Sequence, residues 1–424
     1  MGKRANGAGA IESHGMAPEN GFGAASGYGS LTAFLGHAQE ACYGAKTSRD
    51  SSLDLIMRVA YDHQIFDWQE YGGISRYAFE IASHISRMPG CEAAVFAPFY
   101  INRYLQRCPP QLQVKGRRIA RVPGTGRIIH SINSLIVRPL LVRYRPDIVH
   151  ETYYSPRGVA PRGAKVVLTV HDMIHELFPS EFSSADHTSE HKRAAVRRAD
   201  HIICDSNNTR KDLIGLLGIP EEKISVVYLG FSLMPSIGNE STDYSEKKPF
   251  LLYVGGRRGY KNFENVLKAI AASPRLSEGF DLVCFGGGPL TQDERALIDQ
   301  LKLRGVRQVG GDDSILAGLY LGARALVYPS LYEGFGIPPL EAMSYGCPVV
   351  CSDVSSIPEV VGDAAETFDP YDVDSMRRAM ELIVYDETMR QTLIERGRSQ
   401  YKKFSWERCA QETLAVYGSV LSQK

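Results

Sequence analysis

The 424-residue chain lacks any surplus of charge: 48 Lys and Arg balance 48 Asp and Glu. A general nucleic-acid binder needs a cationic excess, so that class is set aside. No run of eighteen apolar residues occurs, so no spanning helix is expected. The eight cysteines, at 42, 91, 108, 204, 284, 347, 351 and 409, form no C-x-x-C pair and no Cys/His cluster. That pattern suggests neither a zinc ribbon nor a disulfide framework, and points to a reducing compartment. A G-x-G-x-x-G turn with its following acidic ribose ligand is missing too, which argues against a nicotinamide enzyme.

What is present is alternation. Residues 1–56 are Gly-, Ala- and Ser-rich without period or apolar h-region, and read as a disordered tail or an over-long start, not a signal peptide. From 57 to 232, apolar runs such as 58–62, 93–98, 147–152, 165–172, 201–206 and 224–230 alternate with helical patterns at 74–86, 187–199 and 209–218. Polar residues 233–248 read as a linker. Strand and helix then alternate again over 249–402, and 403–424 closes the chain with a helix. The expected fold is α/β, with two doubly wound, Rossmann-like parallel sheets facing across a cleft.

The candidate chemistry sits where strands end. YGGISRY (71–77) places Gly72 and Gly73 before a helix, as a phosphate or acceptor cradle or simply a tight βα turn. YVGGRRGYKNF (253–263) puts Arg257, Arg258 and Lys261 at the end of the first strand of the second half. Such cations can clamp a diphosphate and stabilise it as it leaves, or form a solvated basic turn. His171 and Asp172 end another strand; the histidine can contact a substrate, and the aspartate can cap a helix. Ser206 or Asn207 reads as a helix cap. FGGGPL (285–290) lines the cleft or permits a close turn.

The most informative stretch is YEGFGIPPLEAMSYGCPVVCSD (332–353). Pro338 and Pro339 suit the first helical turn but remove donors, leaving the amides of Phe335, Gly336 and Ile337 as a narrow anion cradle. Glu333 and Glu341 flank it. Carboxylates make poor phosphate ligands but good hydroxyl acceptors, for a sugar and a ribose.

One segment stands apart electrostatically. Lys115, Arg117, Arg118, Arg121, Arg127, Arg138, Arg143 and Arg145 occur with no Asp or Glu between them, interleaved with apolar residues. It reads as a contact for an anionic membrane or as a solvated basic face over a packed helix, with Pro139 interrupting any long amphipathic helix.

Together these motifs resemble retaining glycosyltransferases of family 4, with the GT-B fold, over residues 57–424. The most specific part is E-x7-E, Glu333 to Glu341 in EGFGIPPLE, followed by GCPVVCSDVSSIPEVVGDAA (346–365). The resemblance implies that Glu341 holds the nucleotide ribose and that Glu333 contacts the donor sugar, assisted by amides near Phe335 and Gly336. It implies that Arg257 and Lys261 bind the diphosphate, that Gly73 lies near phosphate and acceptor, and that His171 lies near the transferred sugar. Adjacent Arg258 leaves open which arginine faces the donor. The last helix, with Phe404 and Trp406 at its start, would cross back to the first half.

YGGISRYAFEIA resembles the branch that builds bacterial surface polysaccharides, such as lipopolysaccharide, often with mannosyl donors. The implied enzyme is cytoplasmic or peripheral on the inner membrane face. It moves a sugar from a nucleotide-diphosphate donor to a hydroxyl of a glycan or lipid-linked saccharide, with no cofactor and no metal. Asp372 and Asp374 have D-x-D spacing but read as first-turn helix acids. Two rivals are a nucleotide-sugar 2-epimerase, which would need further acid/base carboxylates, and a non-catalytic sugar-nucleotide binder.

Overall fold

The computed structural model describes residues 56–232 and 248–423. The reading of the N-terminal tail, and that of the linker save Lys248, lie outside the described residues.

Two parallel sheets organise the chain. The first holds β1 (Met57–Tyr61), β2 (Cys91–Val95), β3 (Gln113–Val114), β4 (Ile148–Glu151), β5 (Lys165–Val170), β6 (His201–Cys204) and β7 (Ile224–Val226), in the order β3-β2-β1-β4-β5-β6-β7. The second holds β8 (Phe250–Val254), β9 (Asp281–Phe285), β10 (Val306–Val309), β11 (Ala325–Tyr328), β12 (Val349–Ser352) and β13 (Ala365–Phe368), in the order β10-β9-β8-β11-β12-β13. Each reverses direction beside its first strand, at β1/β4 and β8/β11. Ligands bind at such switch points, outside the carboxyl ends of the strands. The strands read as apolar runs because both faces are covered: Val59, Ala60, Val167, Leu168, Leu252, Val283, Leu326 and Val350 have no exposed surface.

The helices that bear on the site are α1 (Gln64–Trp68), α2 (Gly73–Ile85), α3 (Gly126–Tyr144), α4 (Asn207–Leu217), α5 (Ile337–Ser344), α6 (Ile357–Val361) and α7 (Trp406–Ser422). Helix α3 corrects one expectation, because it runs unbroken through Pro139. A proline there removes the bond to the Leu135 carbonyl. Leu135 is 78% exposed, so water can take that bond.

The glycine turn before α2 is built without left-handed backbone. Gly72 is extended, with φ 167° and ψ 160°, and Gly73 opens the helix, so neither uses left-handed backbone. At Gly72 a Cβ would instead meet the Gln69 amide, which accepts from the Ser75 N–H at 3.2 Å.

Helix α7 lies on the first sheet's side, against α2. A buried polar chain ties it there: Tyr61 to Tyr417 at 3.3 Å, Tyr417 to His150 at 2.6 Å, His150 to Thr169 at 2.9 Å and Thr169 to Tyr77 at 2.9 Å. Burial pushes the His150 imidazole down to about 3, so it is neutral in this chain of bonds.

Candidate functional site

A cavity of about 310 Å³ lies between the carboxyl ends of the two sheets. Its lining includes Gly73, His171, Lys261, Glu333, Phe335, Gly336 and Ile337, seven of the ten residues named from sequence. Arg257, Arg258 and Glu341 are not among its lining residues.

On the second-sheet wall, β11 runs into the EGFG turn. Gly336 has φ 103°, a left-handed conformation that only glycine adopts cheaply, and it turns the chain into α5 with Pro338 in the first turn. Glu333 is 7% exposed, and its Oε1 accepts from Lys261 Nζ at 2.6 Å. Ser355 and Ser356 donate to the Glu333 carbonyl, each at 2.8 Å, and fix the turn from behind. Burial opposes the charge on Lys261, but Glu333 outweighs it and holds the ammonium above its ordinary value. The result is a buried ion pair whose cation and carboxylate both face the cavity.

On the first-sheet wall, His171 leaves β5 with Nδ1 at 2.7 Å from Asp205 Oδ2, at the end of β6. Burial disfavours the imidazolium, yet the charge and hydrogen bond of Asp205 raise the His171 pKa overall. Tyr77 of α2 presents its edge to the imidazole at 5.0 Å. Asp205 is fully buried and lines the cavity, and sequence reasoning missed it. The signal was its place directly after an apolar strand; the neighbouring Ser206, which does cap α4 by accepting from the Thr209 N–H, drew the attention instead. Lys192 was also missed. It has no exposed surface, bonds Glu176 at 2.7 Å and the Asp172 carbonyl at 2.8 Å, and so braces the loop after His171.

The walls touch. A Cβ on Gly334 would stand 1.8 Å from the His171 carbonyl, so only glycine permits this approach. Glu359 of α6 reaches the N-terminus of α4, accepting from the Asn207 and Asn208 N–H groups at 2.9 and 2.8 Å. That is a carboxylate at the positive end of a helix dipole.

The basic loop after β8 departs from expectation. Arg257, expected on the diphosphate, is turned into the fold: Nε donates to Glu294 at 2.8 Å, and the terminal nitrogens donate to the carbonyls of Gly286, Gly288 and Pro289, each at 3.0 Å. Its side chain is 3% exposed. The 286–288 turn has three consecutive glycines at positive φ, and a Cβ on Gly287 would strike this guanidinium. The physical reason is competition: three inward carbonyls and a carboxylate offer a planar guanidinium all its partners at once. Arg258 is exposed beside the Phe182 ring. Lys261 is thus the one of the three cations that lines the cavity.

Glu341, one helical turn on, accepts from Tyr320 at 2.9 Å, and burial raises its carboxyl to about 6. Asp372 caps a helix, accepting from the Asp374 N–H, and Asp374 pairs with Arg377.

Among the described residues no helix is long and apolar enough to cross a membrane. Two protein families match. Residues 71–233 match Glycosyltransferase Family 4, and residues 239–400 match Glycosyl transferases group 1. The chain is 30% identical over 374 residues to O-antigen chain mannosyltransferase B of Escherichia coli, covering 81% of this chain and 95% of that one. It is 30% identical over 275 residues to the serotype-specific mannosyltransferase WbdA of Escherichia coli, covering 60% of this chain but 33% of that longer protein. In fold it is similar to sucrose-phosphate synthase from Thermosynechococcus elongatus, with a TM-score of 0.68 at 19% identity, covering 87% of this chain and all of that one. The 2-epimerase alternative gains no support from these likenesses. With the E-x7-E turn, the two facing Rossmann-like sheets and a near full-length relative all in agreement, the chain belongs to glycosyltransferase family 4 and is a GT-B glycosyltransferase.

Proposed function

We propose that the chain transfers mannose from a nucleoside-diphosphate donor to a glycan hydroxyl, retaining the anomeric configuration and using no metal in the transfer. The observation that carries this reading is the buried Lys261–Glu333 pair at the second-sheet switch point. As the sugar–phosphate bond breaks, negative charge grows on the departing diphosphate, and Lys261 is a cavity cation that can stabilise it. Glu333, held by Ser355 and Ser356, accepts from sugar hydroxyls and orients the ring. Glu341 accepts from ribose hydroxyls. The acceptor enters from the first-sheet wall, where His171 can bond a sugar hydroxyl. The mannosyltransferases to which the chain is similar support mannose.

The protein would work as a peripheral enzyme on the cytoplasmic face of a membrane. Supporting this, all eight basic residues from Lys115 to Arg145 are exposed. Helix α3 carries a second apolar stripe facing out: Ile128, Ile132, Leu135 and Val142 are 61, 40, 78 and 57% exposed. Each basic residue near an anionic surface contributes about 1 kcal/mol. Binding to anionic vesicles at low salt that weakens at high salt is the expected result; no binding at low salt removes this part of the reading.

The transfer reading is tested by incubating the enzyme with mannose, glucose and galactose nucleoside diphosphates and a mannose-terminated acceptor, with EDTA present. Release of nucleoside diphosphate from the mannosyl donor and an α-linked product from an α-donor by NMR are expected. A β-linked product overturns retention, and strong inhibition by EDTA overturns metal-free transfer.

A further inference from the structure

A second cluster of ligating side chains lies outside the cavity, where α1 meets α3. His63 and Asp67 are one turn apart at the start of α1, and His130 faces them from α3. Asp67 Oδ1 is 3.2 Å from His130 Nδ1, and Asp67 Oδ2 is 3.8 Å from His63 Nε2. The two imidazole centroids are 5.0 Å apart. None of the three lines the reaction cavity.

We propose that His63, Asp67 and His130 bind one divalent cation of the Zn²⁺ class, which pins α3 to the end of β1. Two imidazoles and a carboxylate form a nitrogen-rich donor set that suits Zn²⁺ rather than Mg²⁺ or Ca²⁺. Ligands about 2.0–2.2 Å from a tetrahedral zinc stand roughly 3.3 Å from one another; Asp67 stands 3.2 and 3.8 Å from the two imidazoles, and the three ligand atoms all lie within 4.8 Å of one another.

His63 has one ring nitrogen without a hydrogen bond, and its other nitrogen faces the cluster. Its side chain is buried, and its Nδ1 makes no hydrogen bond. Its Nε2 meets Ser134 Oγ at 3.1 Å, but the Ser134 hydroxyl donates to the His130 carbonyl at 2.9 Å. With the ring proton on Nδ1, the Nε2 lone pair therefore faces no donor and is free to take a cation. Asn133 Nδ2 donates to Asp67 Oδ2 at 3.0 Å, the outer contact that orients a ligating carboxylate. His130 is 24% exposed at its side chain, which gives the cation an entry path and room for a water as fourth ligand.

The cation would act as a brace. Helix α3 buries only Asn133, Val137 and Leu141, few anchors for 19 residues. A cation at His130 would fix its N-terminal half while the apolar and basic face stays outward.

The test is calorimetric titration of the EDTA-stripped full-length chain with ZnCl₂, with thermal melting alongside. One saturable site and a raised Tm are expected. His130→Gln and Asp67→Asn should each lose more than the ~100-fold affinity that removal of an outer contact costs. His187→Gln, at an exposed histidine outside the cluster, should bind as the wild type does. If Asp67→Asn fails to fold, His130→Gln decides alone, since that side chain is the most exposed of the three. The absence of a saturable site in the wild type overturns the proposal, as does wild-type affinity in His130→Gln. Transfer activity does not enter this test, so failure here leaves the reading of the cavity standing.

Discussion

The two walls of the cavity hold similar chemistry built in opposite ways. The second-sheet wall pairs a cation with a carboxylate directly, Lys261 to Glu333, with both exposed to the cavity. The first-sheet wall pairs an imidazole with a carboxylate that is itself fully buried, His171 to Asp205. In the first arrangement each partner is free to exchange the other for a ligand. In the second the carboxylate only orients and polarises its partner. The difference assigns donor charge to one wall and hydroxyl positioning to the other.

Five substitutions break or sharpen that contrast. The largest effect on folding belongs to Arg257, which the second-sheet wall uses as a brace. Arg257→Ala strips Glu294 and three carbonyls of a buried partner and should cost about 3 kcal/mol of stability. Arg258→Ala should leave Tm within a degree or so of wild type. Equal melting of the two would mean that the guanidinium at 257 faces solvent or donor instead.

On the other wall, His171→Ala should lower turnover on the order of 100-fold. Turnover near the wild-type value would remove the imidazole from the reaction.

Glu341 offers a test by pH. Its carboxyl is raised from 4.5 to about 6 in the folded chain, so folding favours its protonated form. The stability that protonation provides is present below the unfolded value and is lost as pH rises through about 6. Glu341→Gln should therefore gain ~2 kcal/mol on the wild type between pH 4 and pH 7. Nucleotide affinity of the wild type should fall below pH 6, where the hydroxyl acceptor becomes protonated. A stability difference flat with pH would contradict the burial of this group.

The smallest effect on turnover is expected for Asp205→Asn, on the order of tenfold. Its distinguishing mark is a pH profile. Without the carboxylate that raises the His171 pKa, the alkaline limb should move to lower pH, which a merely structural residue would not cause.

Much of this was legible in sequence, for a physical reason. Strands covered on both faces must be apolar, so their carboxyl ends could be placed, and with them Gly73, His171, Lys261 and Glu333. The orientation of side chains was not legible. Arg257 and Lys261 have the same charge and lie four residues apart, yet the carbonyls of 286–289 capture one and Glu333 the other. Those partners are distant in sequence. Asp205 was obscured by its neighbour Ser206, whose capping role is local and therefore readable. The span of α3 through Pro139 depended on whether solvent reaches the Leu135 carbonyl, which only the packed structure shows.

The central claim is that Lys261 and Glu333 act as one unit on the donor. It is tested most directly by turnover of Lys261→Met, Glu333→Gln and the double variant, with a mannosyl nucleoside diphosphate as donor. Each single change should lower turnover by about 100-fold or more, and the double change should be little worse than either, because residues acting as a unit are non-additive. Single variants within about twofold of wild type, or losses that simply multiply, would contradict the account.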